Sequence, residues 1–369
     1  MKKILSLLLA IFMVFALVGC GSKTVDEPVN TPTDDETKGI SIGFVTDTGG
    51  IDDKSFNQTT YEGLVQFVNE NPGAEVNYLQ SNNDSDYIPN LSSFADEGVD
   101  LIAAAGFLFA DAIGEVLTSY PEQKAIVIDV DWLDVAKYPN LRQVGFAVEQ
   151  GTYLAGIAAG MKAVENGSKH VGMIIGMESS SMDPFYAGFQ QGVWSVDPEI
   201  VIDYDNANSF SASEMGSVLA DKQYANGATV IFACAGSTGN GVIKNAADRR
   251  LAGEDVWVIG VDTDQYALGV YNDAGDSAVL TSAMKRVDVA AYDAAKDVAN
   301  GTFEGGVKIY ALADEGVSLP KENPNLSQDV LDAVAAATAD IISDKIEVSK
   351  TAVYGDTDAR VNGTYGAAQ

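Results

Sequence analysis

The sequence predicts an α/β fold of two lobes, each built on a parallel sheet flanked by helices. The first reason is that short apolar segments alternate with longer helical segments from residue 40 onward, which is the pattern of βαβ units. The second is that this alternation forms two successive series, separated by a Gly/Ala-rich helical segment at 152–163. Two series, each with its own sheet, indicate two similar lobes rather than one long sheet.

The elements of each series follow from these alternating segments. The first series predicts strands at 42–45, 75–79, 101–105, 125–128 and 144–148, with helices at 55–69, 86–97 and 111–119. The second predicts strands at 171–175, 200–202, 229–233 and 256–261, with helices at 184–195, 212–226 and 240–251.

The composition excludes two broad classes of protein. The chain has 369 residues, of which 46% are hydrophobic and 20% charged, so it can bury a large core and is not wholly disordered. Its 53 acidic and 22 basic residues give a net charge of -31, which repels phosphates. Nucleic acid is therefore excluded as a partner.

Histidine and cysteine are too few for several kinds of catalytic or metal site. His170 is the single histidine, which excludes multi-histidine zinc sites within one chain. A Ser-His-Asp triad is also excluded unless His170 itself serves. Cys20 and Cys234 lie far apart, and Cys234 is predicted to be a small core residue at the end of a strand. We therefore predict no catalytic residue, no metal and no cofactor.

The N-terminus indicates export and lipid anchoring. Lys2 and Lys3 precede an apolar stretch at 4–18, which is the layout of a secretory signal and is short for a membrane span. Residues 17–20, Leu-Val-Gly-Cys, resemble a lipobox, so 1–19 is predicted to be a lipoprotein signal peptide and Cys20 the lipidated residue. A plain signal peptide is the alternative.

The segments on either side of the predicted lobes are polar or rich in small residues. Residues 20–39 predict a flexible, lipidated tether, because such a segment cannot bury enough apolar surface to become ordered. Residues 351–369 are predicted to be a C-terminal tail, either an edge segment or disordered. The mature protein is therefore expected at the extracytoplasmic face of the cell membrane.

Residues just beyond the predicted strands are the first candidates for a binding site. Ligands of α/β sheets bind outside the carboxyl ends of the strands. Asp47, Asp129 and Asp262 all stand there. A helix N-cap is the alternative for any one of them, although three caps are a less satisfactory explanation. The other residues at strand ends are Gly106-Phe107, Gly176-Met177 and Gly236.

Seven sequence blocks stand out along the chain: IGFVTDTGGIDDKSFNQ (42–58), AGFLFAD (105–111), EQGTYLAG (149–156), FYAGF (185–189), AGSTGNG (235–241), VIGVD (258–262) and LTSAMKRVD (280–288). In this order they resemble the basic membrane protein family of nucleoside-binding lipoproteins from ABC import systems. The resemblance covers residues 40–346. It implies the two-lobed periplasmic-binding-protein fold of type I, the sugar-binding type, with three crossings between the lobes. We expect lobe one at 40–147 and 283–304, and lobe two at 148–282 and 305–350.

The resemblance also implies residues for the base of a nucleoside. Phe56 and Phe185 would stack on the two faces of the base, from one lobe each. Phe189 is the alternative to Phe185, and a hydrophobic staple at the helix start is the alternative role of Phe56. Asp47 and Asn57 resemble the positions that contact the base edge, where a carboxylate accepts from N–H groups and an amide can do both.

The remaining implied residues would hold the ribose. Asp262 suits the two ribose hydroxyls, and Lys285 resembles the ribose-contacting lysine of the family, with a surface lysine as the alternative. Asp129 could contact either base or ribose, and Asp131 is the alternative to it. Gly236 would let the backbone approach the sugar.

The function implied by the resemblance is capture of a nucleoside, often a purine one, by hinge closure and delivery to an ABC permease. The implied partners are this ligand, the permease and, through lipid on Cys20, the membrane, and we expect a monomer. A sugar or signal molecule on the same scaffold is the alternative ligand. A nucleoside-cleaving enzyme is a further alternative, for which Asp52 and Asp53 would have to hold calcium near Asp47.

Overall fold

The computed structural model describes residues 39–352, and these residues form two sheets with helices on both faces. This confirms the predicted fold class. The predicted signal peptide, Cys20, most of the tether and most of the C-terminal tail lie outside the described residues. Within residues 39–352, each helix is too short or too polar to span a membrane.

Lobe one contains a parallel sheet whose first five strands come from the N-terminal half of the chain. Its strands, in their order across the sheet, are β11 (Gly306–Tyr310), β5 (Leu141–Phe146), β4 (Ala125–Ile128), β3 (Leu101–Ala105), β1 (Ser41–Thr46) and β2 (Glu75–Gln80). Its helices are α1 (Phe56–Glu70), α2 (Tyr87–Glu97), α3 (Ala110–Ser119) and α8 (Val287–Ala299).

The central strands of lobe one are apolar on both faces because helices cover both. Phe44 and Ala103 pack with Leu64 of α1 on one face. Val45 and Ile102 face the opposite way, onto α2 and α3. This two-sided burial explains why these strands are continuous apolar runs rather than alternating ones.

Lobe two repeats the arrangement with a second sheet. Its strands, in their order across the sheet, are β12 (Val317–Ser318), β10 (Val279–Lys285), β9 (Trp257–Asp262), β8 (Val230–Cys234), β6 (His170–Ile175) and β7 (Val201–Asn206). Its helices are α4 (Val148–Glu165), α5 (Asp183–Val196), α6 (Ser213–Ala225), α7 (Ser237–Leu251) and α9 (Gln328–Ile342). All neighbouring pairs are parallel except β10 with β12.

Within residues 39–352 the chain passes between the two sheets three times: between β5 and α4, between β10 and α8, and between β11 and β12.

The predicted end of lobe one at residue 304 is too early. Strand β11 pairs in parallel with β5, so Gly306–Tyr310 belongs to the first sheet. Exposed Val307 and Ile309 alternate with half-buried residues, so this edge strand lacks the apolar run by which the central strands were found.

The ends of strands β5 and β7 depart from the prediction. Strand β5 ends at Phe146, and Val148 already belongs to α4, whereas the prediction continued the strand to 148. Strand β7 continues to Asn206, four residues beyond the predicted end at 202. In this last part the buried Tyr204 stands among the polar residues Asp203, Asp205 and Asn206, because β7 lies at the edge of its sheet and does not form a continuous apolar run.

Candidate functional site

The carboxyl ends of the two sheets face each other across a cavity. All eight residues predicted for ligand binding line this one cavity: Asp47, Phe56, Asn57, Asp129, Phe185, Gly236, Asp262 and Lys285. The remaining lining residues are Gly49, Asp53, Gly106, Phe107, Met182, Phe210, Cys234, Ala235 and Val261. A cleft lined by aromatic side chains and a few polar groups is typical of small-molecule sites.

Asp47 is held in one orientation by its neighbours in lobe one. Its Oδ1 accepts hydrogen bonds from Nδ2 of Asn57 at 2.7 Å and from the backbone N–H of Gly49 at 2.8 Å. The Asp47 backbone N–H in turn donates to Oδ1 of Asn57 at 3.1 Å. Burial raises the pKa of Asp47 to about 6, and the charges of Asp53 and Asp129 act in the same direction. Its carboxyl group therefore titrates close to neutral pH.

Asn57 positions Asp47 through an amide group whose two N–H donors are both in use. Its Nδ2 donates to Asp47 and also to Oδ2 of Asp53 at 3.0 Å. The sequence predicts that Asn57 acts toward a base as both hydrogen-bond donor and acceptor. Because both of its N–H donors are engaged, it could act toward a base only as an acceptor. The buried Asn57 thus supports the carboxylate rather than offering a free amide group.

The Asp53 carboxylate binds backbone N–H groups at the start of α1, whose N-cap residue is Ser55. It accepts from the backbone N–H groups of Ser55 at 2.9 Å, Asn57 at 2.8 Å and Gln58 at 3.1 Å. These are the donors that a helix start leaves without intrahelical partners. With its oxygens engaged in this way, Asp53 stabilises the helix start, which removes the support for calcium binding beside Asp47. Among the described residues, no cluster of His, Cys, Asp or Glu is arranged to hold a metal ion.

At the opposite side of the cavity, Lys285 joins an aspartate from each lobe. Its Nζ lies 2.7 Å from Oδ2 of Asp129, which follows β4, and 3.5 Å from Oδ1 of Asp262, at the end of β9. Both aspartates have left-handed backbones, with φ of 63° and 66°. Asp tolerates this conformation better than most residues, and such strain clusters at functional sites.

The charge of Lys285 is retained although its side chain is buried. Burial by itself would lower the pKa of Lys285, but the Coulombic attraction of Asp129 and Asp262 raises it to about 12. Burial raises the pKa of Asp129, and the lysine opposes that shift. The ammonium group therefore stays protonated and compensates carboxylates of both lobes.

Aromatic rings form the apolar walls of the cavity. Nζ of Lys285 lies 4.4 Å from the ring centroid of Phe56 and 5.3 Å from that of Phe185, so rings of both lobes contact the ammonium group. Phe107 of lobe one contacts Phe210 of lobe two edge to face, with centroids 6.3 Å apart. Each lobe thus contributes two phenylalanines to the same cavity.

Gly106 keeps space free beside Asp47. Its φ is 120°, and a Cβ there would lie 3.0 Å from Oδ2 of Asp47 and 3.5 Å from Cε1 of Phe56. Oδ2 is the carboxylate oxygen that Asn57 and Gly49 leave open. The absence of a side chain at position 106 therefore preserves room at the free edge of Asp47.

The structure separates two pairs of alternative site residues, Phe185 from Phe189 and Asp129 from Asp131, by their positions relative to the cavity. Phe185 lines the cavity, whereas Phe189 is fully buried and packs against Phe232 in the core of lobe two. Asp129 lines the cavity, whereas Asp131 lines a neighbouring pocket together with the exposed Trp132.

Several cavity residues were not assigned a role from sequence. Phe210 follows β7, whose true end at Asn206 the prediction missed, so its position near a strand end was hidden. The sequence places Phe107 at a strand end but assigns it no ligand role. Its aromatic side chain is the one signal that could have marked it as a cavity residue. Cys234 was predicted to be a core residue, yet it also borders the cavity, with a thiol pKa raised well above its usual value by burial.

The comparisons with known proteins agree over nearly all of the described chain. Residues 40–352 match the family model of Bmp, described as "ABC transporter substrate-binding protein PnrA-like". The CD4+ T-cell-stimulating antigen of Listeria innocua is 38% identical, covering 92% of this chain and 97% of that protein. The ABC transporter nucleoside-binding protein BmpA of Lactococcus lactis is 35% identical, covering 92% of this chain and 96% of that protein.

A solved solute-binding protein of an ABC transporter system from Aeropyrum pernix shares the fold. Its TM-score is 0.76 at 24% identity, covering 88% of this chain and 97% of that one. The match at this level concerns the fold, and the sequence matches identify the family. The chain therefore belongs to the Bmp family of PnrA-like ABC transporter substrate-binding proteins.

Proposed function

We propose that this protein is a lipid-anchored extracytoplasmic receptor that captures purine nucleosides between its lobes and delivers them to an ABC permease. The observation that carries the proposal is the combination of unlike groups in one cavity. Its lining has aromatic side chains from both lobes, of which Phe56 and Phe185 lie beside the Lys285 ammonium group. It also has a carboxylate, Asp47, without a cation partner among the described residues, and a charged group in which two aspartates pair with the buried Lys285. A nucleoside has two unlike parts, a flat base and a ribose with adjacent hydroxyls.

The aromatic side chains suit the base. Stacking on an aromatic side chain contributes about 1–3 kcal/mol per base. Phe56 and Phe185 come from different lobes, so closure would bring a ring to each face of the base. The free Oδ2 of Asp47 would then accept a hydrogen bond from an N–H group at the base edge.

The charged group suits ribose hydroxyl groups. The Asp129 and Asp262 carboxylates can accept hydrogen bonds from hydroxyls, and the Lys285 ammonium group can donate to a hydroxyl oxygen. These groups already compensate one another, so an uncharged sugar adds hydrogen bonds without adding an unpaired charge.

The charge of the cavity favours nucleosides over nucleotides. Its lining contains four aspartates and one lysine, and that lysine is already held by two of the aspartates. A phosphate group would lie among carboxylates without a free cation, at a cost that a low-dielectric site magnifies. Inosine monophosphate should therefore bind far more weakly than inosine.

Transport and anchoring rest on the family and on the sequence. Substrate-binding proteins of ABC systems deliver their ligand to a membrane permease, and the relative from Lactococcus lactis is named as nucleoside-binding. Two further relatives, from Pyrococcus abyssi and Pyrococcus horikoshii, are named as lipoproteins. Lipid on Cys20 would keep the receptor beside its permease. Metabolic labelling with a fatty acid tests this, and a Cys20→Ala variant that still carries lipid would contradict it.

Calorimetric titration with inosine, inosine monophosphate, hypoxanthine and ribose tests the ligand. We expect tight binding of inosine and much weaker binding of the other three compounds. Tight binding of ribose alone would favour the alternative of a sugar receptor, which the Asp129–Lys285–Asp262 group could serve by itself. Release of hypoxanthine from inosine during incubation would instead indicate an enzyme.

A further inference from the structure

The loop at residues 49–55, between β1 and α1, contacts lobe two through three backbone carbonyl groups, in addition to the Ser55 hydroxyl group, which donates to the cavity residue Asp262. The hydrogen bonds to these carbonyl groups run from Ser237 Oγ to the Gly49 carbonyl at 3.3 Å, from Asn240 Nδ2 to the Asp53 carbonyl at 2.8 Å, and from Gln265 Nε2 to the Lys54 carbonyl at 3.0 Å. In all three, the donor is a side chain of lobe two and the acceptor is the main chain of lobe one.

The loop is held rigidly on its own lobe, so its carbonyl groups have fixed directions. The Asp53 carboxylate binds the backbone N–H groups at the start of α1. The Gly50 N–H donates to the Asp47 carbonyl at 3.3 Å, and the Ile51 N–H donates to Oε1 of Gln80 at 3.2 Å. These contacts lie within lobe one and do not depend on the position of lobe two.

The donors are fixed on lobe two in the same way. Gln265 is only 3% exposed, and its Oε1 accepts from the Val261 N–H at 3.0 Å, which leaves Nε2 directed at the loop. Ser237 and Asn240 lie in the first turn of α7. Two rigid surfaces therefore meet in register when the lobes close.

Ser237, Asn240 and Gln265 do not line the ligand cavity. Their bonds to the loop require closed lobes, but they do not require any group of the ligand. We propose that these bonds form a latch, and that Asn240 and Gln265 are positioning residues that set ligand affinity by stabilising the closed state. The latch goes beyond the proposed function, because it operates for any ligand that the cavity holds.

The latch has a kinetic consequence. A ligand enters the open protein and leaves after reopening, so bonds present only in the closed state slow dissociation. Loss of one such bond should raise the dissociation rate by about two- to tenfold and leave the association rate unchanged.

The test uses the same amide-to-acid change at three positions. Asn240→Asp and Gln265→Glu each keep the shape of the side chain but place an acceptor against a loop carbonyl. Asn245→Asp is the matched control: Asn245 lies on the same helix as Asn240, and its Nδ2 bonds only to Ser217 and Asp221 of lobe two. The full chain is studied by stopped-flow binding of inosine, and thermal unfolding is recorded for every variant.

We expect both latch variants to raise the dissociation rate of inosine by about two- to tenfold, with unchanged association and no such effect of Asn245→Asp. Dissociation rates equal to that of the wild type, or raised equally by the control, would overturn the latch. A lower association rate in place of faster dissociation would also overturn it, because the variants would then act on ligand entry.

Hydrogen exchange of the ligand-free protein separates this inference from the proposed function. Reopening uncovers the surfaces that meet at this contact, such as the buried Asp53. Asn240→Asp and Gln265→Glu should therefore exchange amides covered only by closure faster than the wild type and the control, while loop amides bonded within lobe one stay unchanged. If inosine does not bind to the wild type, the proposed function fails, and this comparison still decides on the latch. Equal exchange in all four proteins would then refute it.

Discussion

The two sides of the cavity contain the same residue type in opposite electrostatic settings. Asp47 is oriented by an amide and a backbone N–H, has no cation partner within residues 39–352, and has a pKa raised to about 6. Asp129 and Asp262 share the ammonium group of Lys285. The difference teaches that burial alone does not decide what an aspartate does. The group bound to the carboxylate also matters. Asp47, bound by an amide and a backbone N–H, titrates near neutral pH, whereas Asp129 and Asp262 belong to a charge-compensated group with the Lys285 ammonium.

The largest expected effect comes from removing the cation. Lys285→Met leaves two buried carboxylates without compensation, and breaking a buried ion pair costs about 3–5 kcal/mol. We expect the free energy of unfolding to fall by this order in chemical denaturation, and inosine binding to be lost in calorimetry. Lys308→Met is the control, because Lys308 pairs with Asp293 at 3.1 Å near the surface and its loss should cost about 1 kcal/mol or less. An equal decrease in the free energy of unfolding in the two variants would contradict the view that Lys285 compensates buried carboxylates.

The next prediction compares a phenylalanine that lines the cavity with one that lies in the core, by their effects on ligand affinity and on protein stability. Phe56→Ala should weaken inosine binding by about 1–3 kcal/mol while the fold remains stable enough to assay. Phe189→Ala should instead destabilise the protein by about 3–5 kcal/mol, because Phe189 is fully buried in lobe two. Calorimetry combined with thermal unfolding measures both quantities. An unchanged affinity of the Phe56 variant would remove stacking from the mechanism.

The pH dependence of binding addresses Asp47 directly. Ionised Asp47 can only accept, so affinity for inosine should fall by about tenfold from about pH 8 to about pH 5, as the carboxylate protonates. The fold should respond with the opposite sign. A carboxyl group whose folded pKa is raised reduces stability above that pKa, so the ligand-free protein gains stability as pH falls from about 6 toward the unfolded value near 4.

Asp47→Asn removes this titration and should flatten both pH profiles, although Asp53 and Asp129, which face Asp47, remain. Calorimetry across the pH range and thermal unfolding without ligand give the two profiles. A step near pH 6 that persists in Asp47→Asn would assign the titration to another group.

The smallest expected effect is that of Asp131→Asn, which is compared with the same change at its neighbour Asp129 after β4. Asp129→Asn removes a carboxylate bound to Lys285 and should weaken inosine binding by about 1.5–3 kcal/mol. Asp131→Asn changes a residue outside the cavity lining and should alter affinity by no more than about 0.5 kcal/mol. A reversed order in calorimetry would mean that the ligand extends into the pocket beside Trp132.

The fold class was predictable because the central strands are buried on both faces and are therefore mostly apolar. Phe44, Val45 and Ile102 belong to such runs, and a βαβ pattern leaves little choice of architecture. Edge strands have only one buried face or none. Strand β11 and the end of β7 consequently lacked this pattern, and with β7 the position of Phe210 was missed.

The sequence by itself placed three aspartates at the cavity, because the carboxyl ends of parallel strands converge on one crevice. Asp47, Asp129 and Asp262 are placed by that rule alone. Only the tertiary structure decided their chemical state, since Lys285 meets Asp129 across the two lobes while Asp47 meets an amide. Pairing across lobes depends on how two separate sheets close on each other. Local sequence carries no record of distances between residues 156 positions apart.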